Sequence, residues 1–177
     1  MKLLPLLLAA LLAAPRAAGA QAADTSAYAA ALAGVRLQGG ERMPVVLDST
    51  LTFTERAPLI ASVPEALRAS FVAASGHRQP VTRADLPDER YLLVGATAFE
   101  GMPRGDADAY WREFAIRFPR AGGVVSLSGI GRSADGERAV VYVQHGCGSL
   151  CGSSHLVLLR REQGVWRVEQ ARMTTVN

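Results

Sequence analysis

Two cysteines and two histidines fall within eleven residues, in the order His145-x-Cys147-x3-Cys151-x3-His155. Three chemistries can be written on that set. The first is a disulfide. Cys147 and Cys151 flank a three-residue loop between two expected strands. Residues opposite each other at a hairpin mouth have Cα atoms about 4.5–5.5 Å apart, which lies inside the disulfide window. The neighbouring Gly146, Gly148 and Gly152 are expected to supply the unusual backbone angles of so tight a loop. The second chemistry is thiol–disulfide exchange by the same pair. Its spacing is C-x3-C, not C-x-x-C, and it lies away from any helix N-terminus that would lower a thiol pKa. The third is a metal centre, because two His and two Cys can hold zinc tetrahedrally. The spacing matches no usual finger pattern, and a disulfide would remove both sulfur ligands. The reading adopted is a Cys147–Cys151 disulfide with no cofactor. His145 and His155 are the lesser metal candidates, and their plainer role is as polar residues near a hairpin end.

Other catalytic patterns are missing. The chain has no G-x-S-x-G elbow, H-E-x-x-H helix, phosphate loop or dinucleotide fingerprint. Serines are plentiful and His77, His145 and His155 are available as bases. A Ser-His-Asp set is recognised by geometry, so sequence leaves it open. The acid pairs Asp88-Glu89 and Asp106/Asp108 read as loop and helix-capping material. No catalytic residue is assigned.

The elements that must position these residues begin after a leader. Residues 1–20 (MKLLPLLLAALLAAPRAAGA) carry Lys2, an apolar run from Leu3 to Ala14 and the small-residue end Ala18-Gly19-Ala20. That is the layout of a secretory signal peptide, and the run is too short to span a bilayer. The expected organisation is a signal peptide over 1–20 and one domain over 21–177, exported to the periplasm or the exterior. The formal charge of +3 then falls. Lys2 and Arg16 leave with the leader, and every remaining basic side chain is Arg. Only Arg160 and Arg161 are adjacent. Nucleic-acid binding needs clustered cations along the phosphates, so nucleic acid is rejected as a partner.

In the expected domain a short helix ends at Gly34, with Asp24 or Thr25 as its cap. Val45 to Thr54 and Tyr91 to Phe99 read as strands. Ser62-Val63-Pro64-Glu65 reads as a helix start with Ser62 as cap, and the helix runs to Gly76. Thr82 to Leu86 reads as one helical turn. Asp106 and Asp108 precede a helix whose Ala107, Trp111, Phe114, Ala115 and Phe118 share a face until Pro119. Four strands follow, at Val124–Ile130, Arg138–His145, His155–Arg161 and Val165–Met173, joined by short turns. They predict an antiparallel meander. The fold class is α+β: an antiparallel sheet with a C-terminal four-stranded meander and two or three helices packed on it.

Part of this pattern resembles a known group. Its marks are Trp111-Arg112-Glu113-Phe114, Phe118-Pro119, Gly123-Val124-Val125-Ser126-Leu127-Ser128, Ala139-Val140-Val141-Tyr142-Val143, Cys147-Gly148-Ser149-Leu150-Cys151-Gly152 and Gly164-Val165-Trp166-Arg167-Val168. Together they resemble a family of secreted or lipid-anchored bacterial proteins of unknown function with a C-G-x-L-C-G turn in a C-terminal β-meander. The resemblance implies a secreted α+β domain and transfers no catalytic residue. His145 is not part of its pattern. The functional expectation is a small exported protein, a non-enzymatic binding or structural module of the cell envelope with an unknown protein or small-molecule partner. A cystatin-like or NTF2-like arrangement is the analogy for its sheet. The alternatives are a secreted enzyme, by redox through the Cys pair or by hydrolysis, and a metal-binding protein.

Overall fold

The C-terminal strands set the frame because their apolar residues run continuously. In Ala139-Val140-Val141-Tyr142-Val143 every side chain is buried, so this strand must be covered on both faces. The computed structural model describes residues 27–38, 42–87 and 89–176. The expected leader and the Asp24/Thr25 cap lie outside these residues, as does Asp88.

The helices are α1 (27–33), α2 (Glu65–Ser75) and α3 (Ala107–Arg117). The strands are β1 (Met43–Leu47), β2 (Leu92–Val94), β3 (Ala121–Leu127), β4 (Gly131–Arg132), β5 (Arg138–Gly148), β6 (Cys151–Glu162) and β7 (Val165–Val176). They form one sheet in the order β2-β1-β3-β5-β6-β7, with β4 also paired to β5. The class is α+β, and β3, β5, β6 and β7 make the antiparallel meander. The sheet is not antiparallel throughout. β1 pairs parallel with both β2 and β3.

Alternation assigns the faces. Val46, Val125, Val141, Val143, Val157 and Leu159 lie under α1, against Ala27, Tyr28, Ala31 and Leu32. On the other face Val140, Tyr142 and Leu156 pack with Leu67 and Phe71 of α2. Val45 and Phe114 form a third cluster, against which Val124 and Trp111 pack. The Tyr28 hydroxyl donates to the Ser128 carbonyl at 2.9 Å, anchoring α1 across the sheet. Tight packing of α2 depends on Gly131, where an added Cβ would stand 2.6 Å from the Phe71 Cβ.

Several expected boundaries shift. The first strand starts at Met43 and ends at Leu47; beyond it only Ser49 and Leu51 make isolated bridges. The second keeps three residues, and Ala96–Phe99 turns into a 3-10 helix capped by Gly95. A side chain at Gly95 would meet Asp48, so glycine is what fits at this departure from the sheet. Ser62 does not cap α2. It ends a 3-10 helix, Pro58–Ser62, and the N-cap is Pro64. Glu65 pairs instead with Arg68. In α3 Asp106 caps the Ala109 N–H at 2.9 Å, while Ala115 on the expected inner face is exposed. β5 and β6 run further than expected, up to the cysteines themselves. β7 is exposed at every residue but Trp166. Its pairing with β6 is irregular between Leu158/Leu159 and between Ser154/His155. Among the described residues no helix is long and apolar enough to cross a membrane.

Candidate functional site

Strand pairing brings the hairpin residues together. The β5–β6 ladder continues to Gly148↔Cys151, so the expected three-residue loop closes as a two-residue turn, Ser149-Leu150. Cys147 sits at the register shift between Gly146 and Gly148. The sulfurs of Cys147 and Cys151 are bonded, with Cα atoms 5.0 Å apart. Gln38 lies against them, its Oε1 at 3.4 Å from Cys151 Sγ. Such a pair is compatible with an oxidising exported location.

The glycines around the turn do not serve as expected. Gly146, Gly148 and Gly152 have no positive φ. A Cβ on Gly146 would approach the Trp111 ring at 3.3 Å, so its role is to let α3 pack close. The positive φ belongs to Gly123, at +130°, where a side chain would strike the Gly146 carbonyl and His145. On the opposite side of the turn Ser149 donates a hydrogen bond to the Asp108 carboxylate. Asp108 therefore ties α3 to the hairpin.

His145 pairs with Ser153, and His155 pairs with Val143, two positions along. Opposed residues share a face, so His145, Ser153 and His155 lie together on the α1 side. All three are buried. His145 Nε2 stands 3.3 Å from the Gly122 carbonyl. A carbonyl only accepts, so Nε2 carries the hydrogen and Nδ1 holds a lone pair. Burial lowers the pKa of both histidines; for His145 the bond to the Gly122 carbonyl works against that shift and the neighbouring His155 adds to it. Both are therefore held neutral. His77, by contrast, is exposed and joins no cluster.

A wide cleft lies elsewhere, at the N-terminal ends of the parallel strands β1, β2 and β3. Its volume is about 910 Å³, and it is rimmed by Arg42, Arg83, Arg117 and Arg120, with Glu89 as the one acid among the described residues that line it. Met43, Tyr91, Leu92 and Phe118 supply apolar wall. Arg83 donates to the Tyr91 carbonyl at 3.1 Å. Arg117 donates to the Glu100 carbonyl at 2.7 Å and pairs with Glu113 at 2.8 Å. These bonds hold two guanidinium groups in place before any ligand arrives. The arginines come from three separate stretches of the chain, Arg42, Arg83 and the Arg117/Arg120 pair, so the absence of adjacent cations concealed them. Parallel pairing of strands that start at Met43, Leu92 and Ala121 is what gathers them. The cleft can hold an anionic group on its rim and an apolar body against its wall.

No family model, curated protein or solved structure matches the chain.

Proposed function

We propose that this chain is an exported, non-enzymatic binding module of the cell envelope, periplasmic or extracellular, and that the arginine-rimmed cleft is its ligand seat. The observation that carries the reading is the cleft itself. Its volume of about 910 Å³ falls in the range of small-molecule sites, which are largely apolar with a few placed polar groups. The rim is cationic, so the ligand is a small molecule or peptide end bearing a carboxylate, sulfonate or phosphate beside an apolar body. Arg presents a fork that suits such groups. A signal-peptide-like leader and a bonded cysteine pair support export.

The test is calorimetric titration with an aryl sulfonate. Wild-type protein should bind it, and affinity should fall as salt rises. Arg42→Glu with Arg120→Glu changes two exposed side chains that the fold does not use. It should weaken binding about tenfold, the effect of two exposed charge interactions of roughly 0.7 kcal/mol each. Binding that is absent, or unchanged in the double variant, overturns the cleft as the seat.

A further inference from the structure

A second site lies apart from the cleft and does not depend on it. We propose that the β5–β6–β7 ladder, on its α1 side and at the margin where Met173 meets solvent, holds a copper(I) ion, bound by His145 Nδ1, His155 Nδ1 and the thioether of Met173. Three observations meet there. First, His145 Nδ1, His155 Nδ1 and Ser153 Oγ are buried and without a hydrogen-bond partner among the described residues, whereas buried polar atoms are normally paired. All three residues are more than nine-tenths buried. Second, register puts them side by side. His145 opposes Ser153, and His155 sits two residues further along β6. Met173 opposes His155 across the β6–β7 pair. Third, the Gly122 carbonyl accepts from His145 Nε2. That contact fixes the tautomer which leaves Nδ1 as a donor to metal, the arrangement that outer partners give a ligating histidine.

The donor set selects the ion. Every ligand is neutral, and among the described residues no group of three or more His, Cys, Asp or Glu is placed to hold a metal. The disulfide occupies both sulfurs of Cys147 and Cys151. A dication buried among uncharged ligands and apolar side chains would keep its full charge at a large desolvation cost. A monovalent ion carries a smaller cost, and imidazole with thioether is a soft set that suits copper(I). Binding transfers no electron and forms no covalent bond to protein beyond the three dative ones.

The test is titration of the full chain with copper(I) held reduced by ascorbate, which spares the disulfide, against a chromogenic copper(I) chelator. Wild type should take one copper(I) per chain. Met173 is half exposed, at 52%, so Met173→Leu keeps the fold. It should bind at least tenfold more weakly, since losing a direct ligand costs no less than losing an outer partner of one, which costs a metal centre about 10–100-fold. His145→Gln with His155→Gln should remove binding, with circular dichroism reporting whether it folds. Should that variant not fold, imidazole nitrogen NMR of the wild type decides the matter, because copper(I) must shift the Nδ1 resonances. Failure of wild type to take copper(I), equal uptake by Met173→Leu, zinc(II) bound as tightly, or a shift confined to Nε2 overturns the proposal.

Discussion

Replacing both cysteines, Cys147→Ser with Cys151→Ser, asks what the hairpin bond holds. The bond closes a ring of five residues, since the sequence separation is four. The loop-entropy relation gives about 2 kcal/mol of stabilisation for a ring of that size. The folded side of the balance should change little. The ladder already pairs Gly148 with Cys151, Trp111 packs on Gly146, and Ser149 is tied to Asp108. The new hydroxyls meet Gln38 Oε1, which lies beside both sulfurs and accepts a hydrogen bond. Urea unfolding of the disulfide-intact and serine forms should therefore differ by about 2 kcal/mol. For a domain of this size that is roughly 4–8 °C in Tm. The far-UV spectrum should not change, and wild type reduced by a thiol should melt with the serine variant. A loss above about 4 kcal/mol, or an unfolded variant, would mean that the bond organises the whole meander. A loss near zero would mean that the ladder and Asp108 fix the turn without it. Either result refutes the reasoning.

Other outcomes follow from single contacts. Tyr28→Phe should cost about 1 kcal/mol by removing the bond to Ser128, read from denaturant midpoints. Burial, and then the Asp85 carboxylate, push the Tyr28 phenol above its ordinary value. Its stabilising effect is thus complete below pH 10, the unfolded value, and is lost as pH rises further, at up to about 1.4 kcal/mol per pH unit. Wild type should lose more stability than Tyr28→Phe between pH 9 and 11, and parallel profiles would contradict this. Gly131→Ala forces a Cβ against Phe71 and should cost about 2–3 kcal/mol, seen as a lower thermal midpoint. Asp106→Ala removes the α3 cap and should cost about 1 kcal/mol in the same assay.

The meander was legible because its signals are local. The β-branched apolar run in RAVVYV, the alternation in VWRVEQ and the turn at Asp135-Gly136 need no distant partner. The N-terminal strands were less legible. Val45 and Val46 find their neighbours in Leu92, Leu93, Val124 and Val125, and no local pattern marks a parallel pairing. The capping box at Ser62 misled because the upstream proline at Pro58 starts a 3-10 turn that absorbs Ser62. The hairpin cysteines were found from spacing, and His145 and His155 were singled out with them. Their common burial beside Ser153 came from register. The arginine rim could not be read at all, since Arg42, Arg83, Arg117 and Arg120 converge only when three strand starts and the end of α3 are brought together.

β7 bears on how copies of this chain coexist. It is the outer strand of the sheet, twelve residues long, with one side of its backbone paired to β6 and the other side unpaired among the described residues. A straight strand of that length is a template on which another chain can grow. Its two interruptions, beside Glu169 and Thr174, break the even spacing of the outward N–H and C=O groups that a second strand would need. Glu169 is further drawn inward by Arg138, at 2.9–3.1 Å. The two irregular backbone positions therefore oppose strand addition at this edge. Deleting one residue at each should regularise the pairing of β7 and leave its outer edge a better template for a second strand, read as a rise in light scattering with protein concentration.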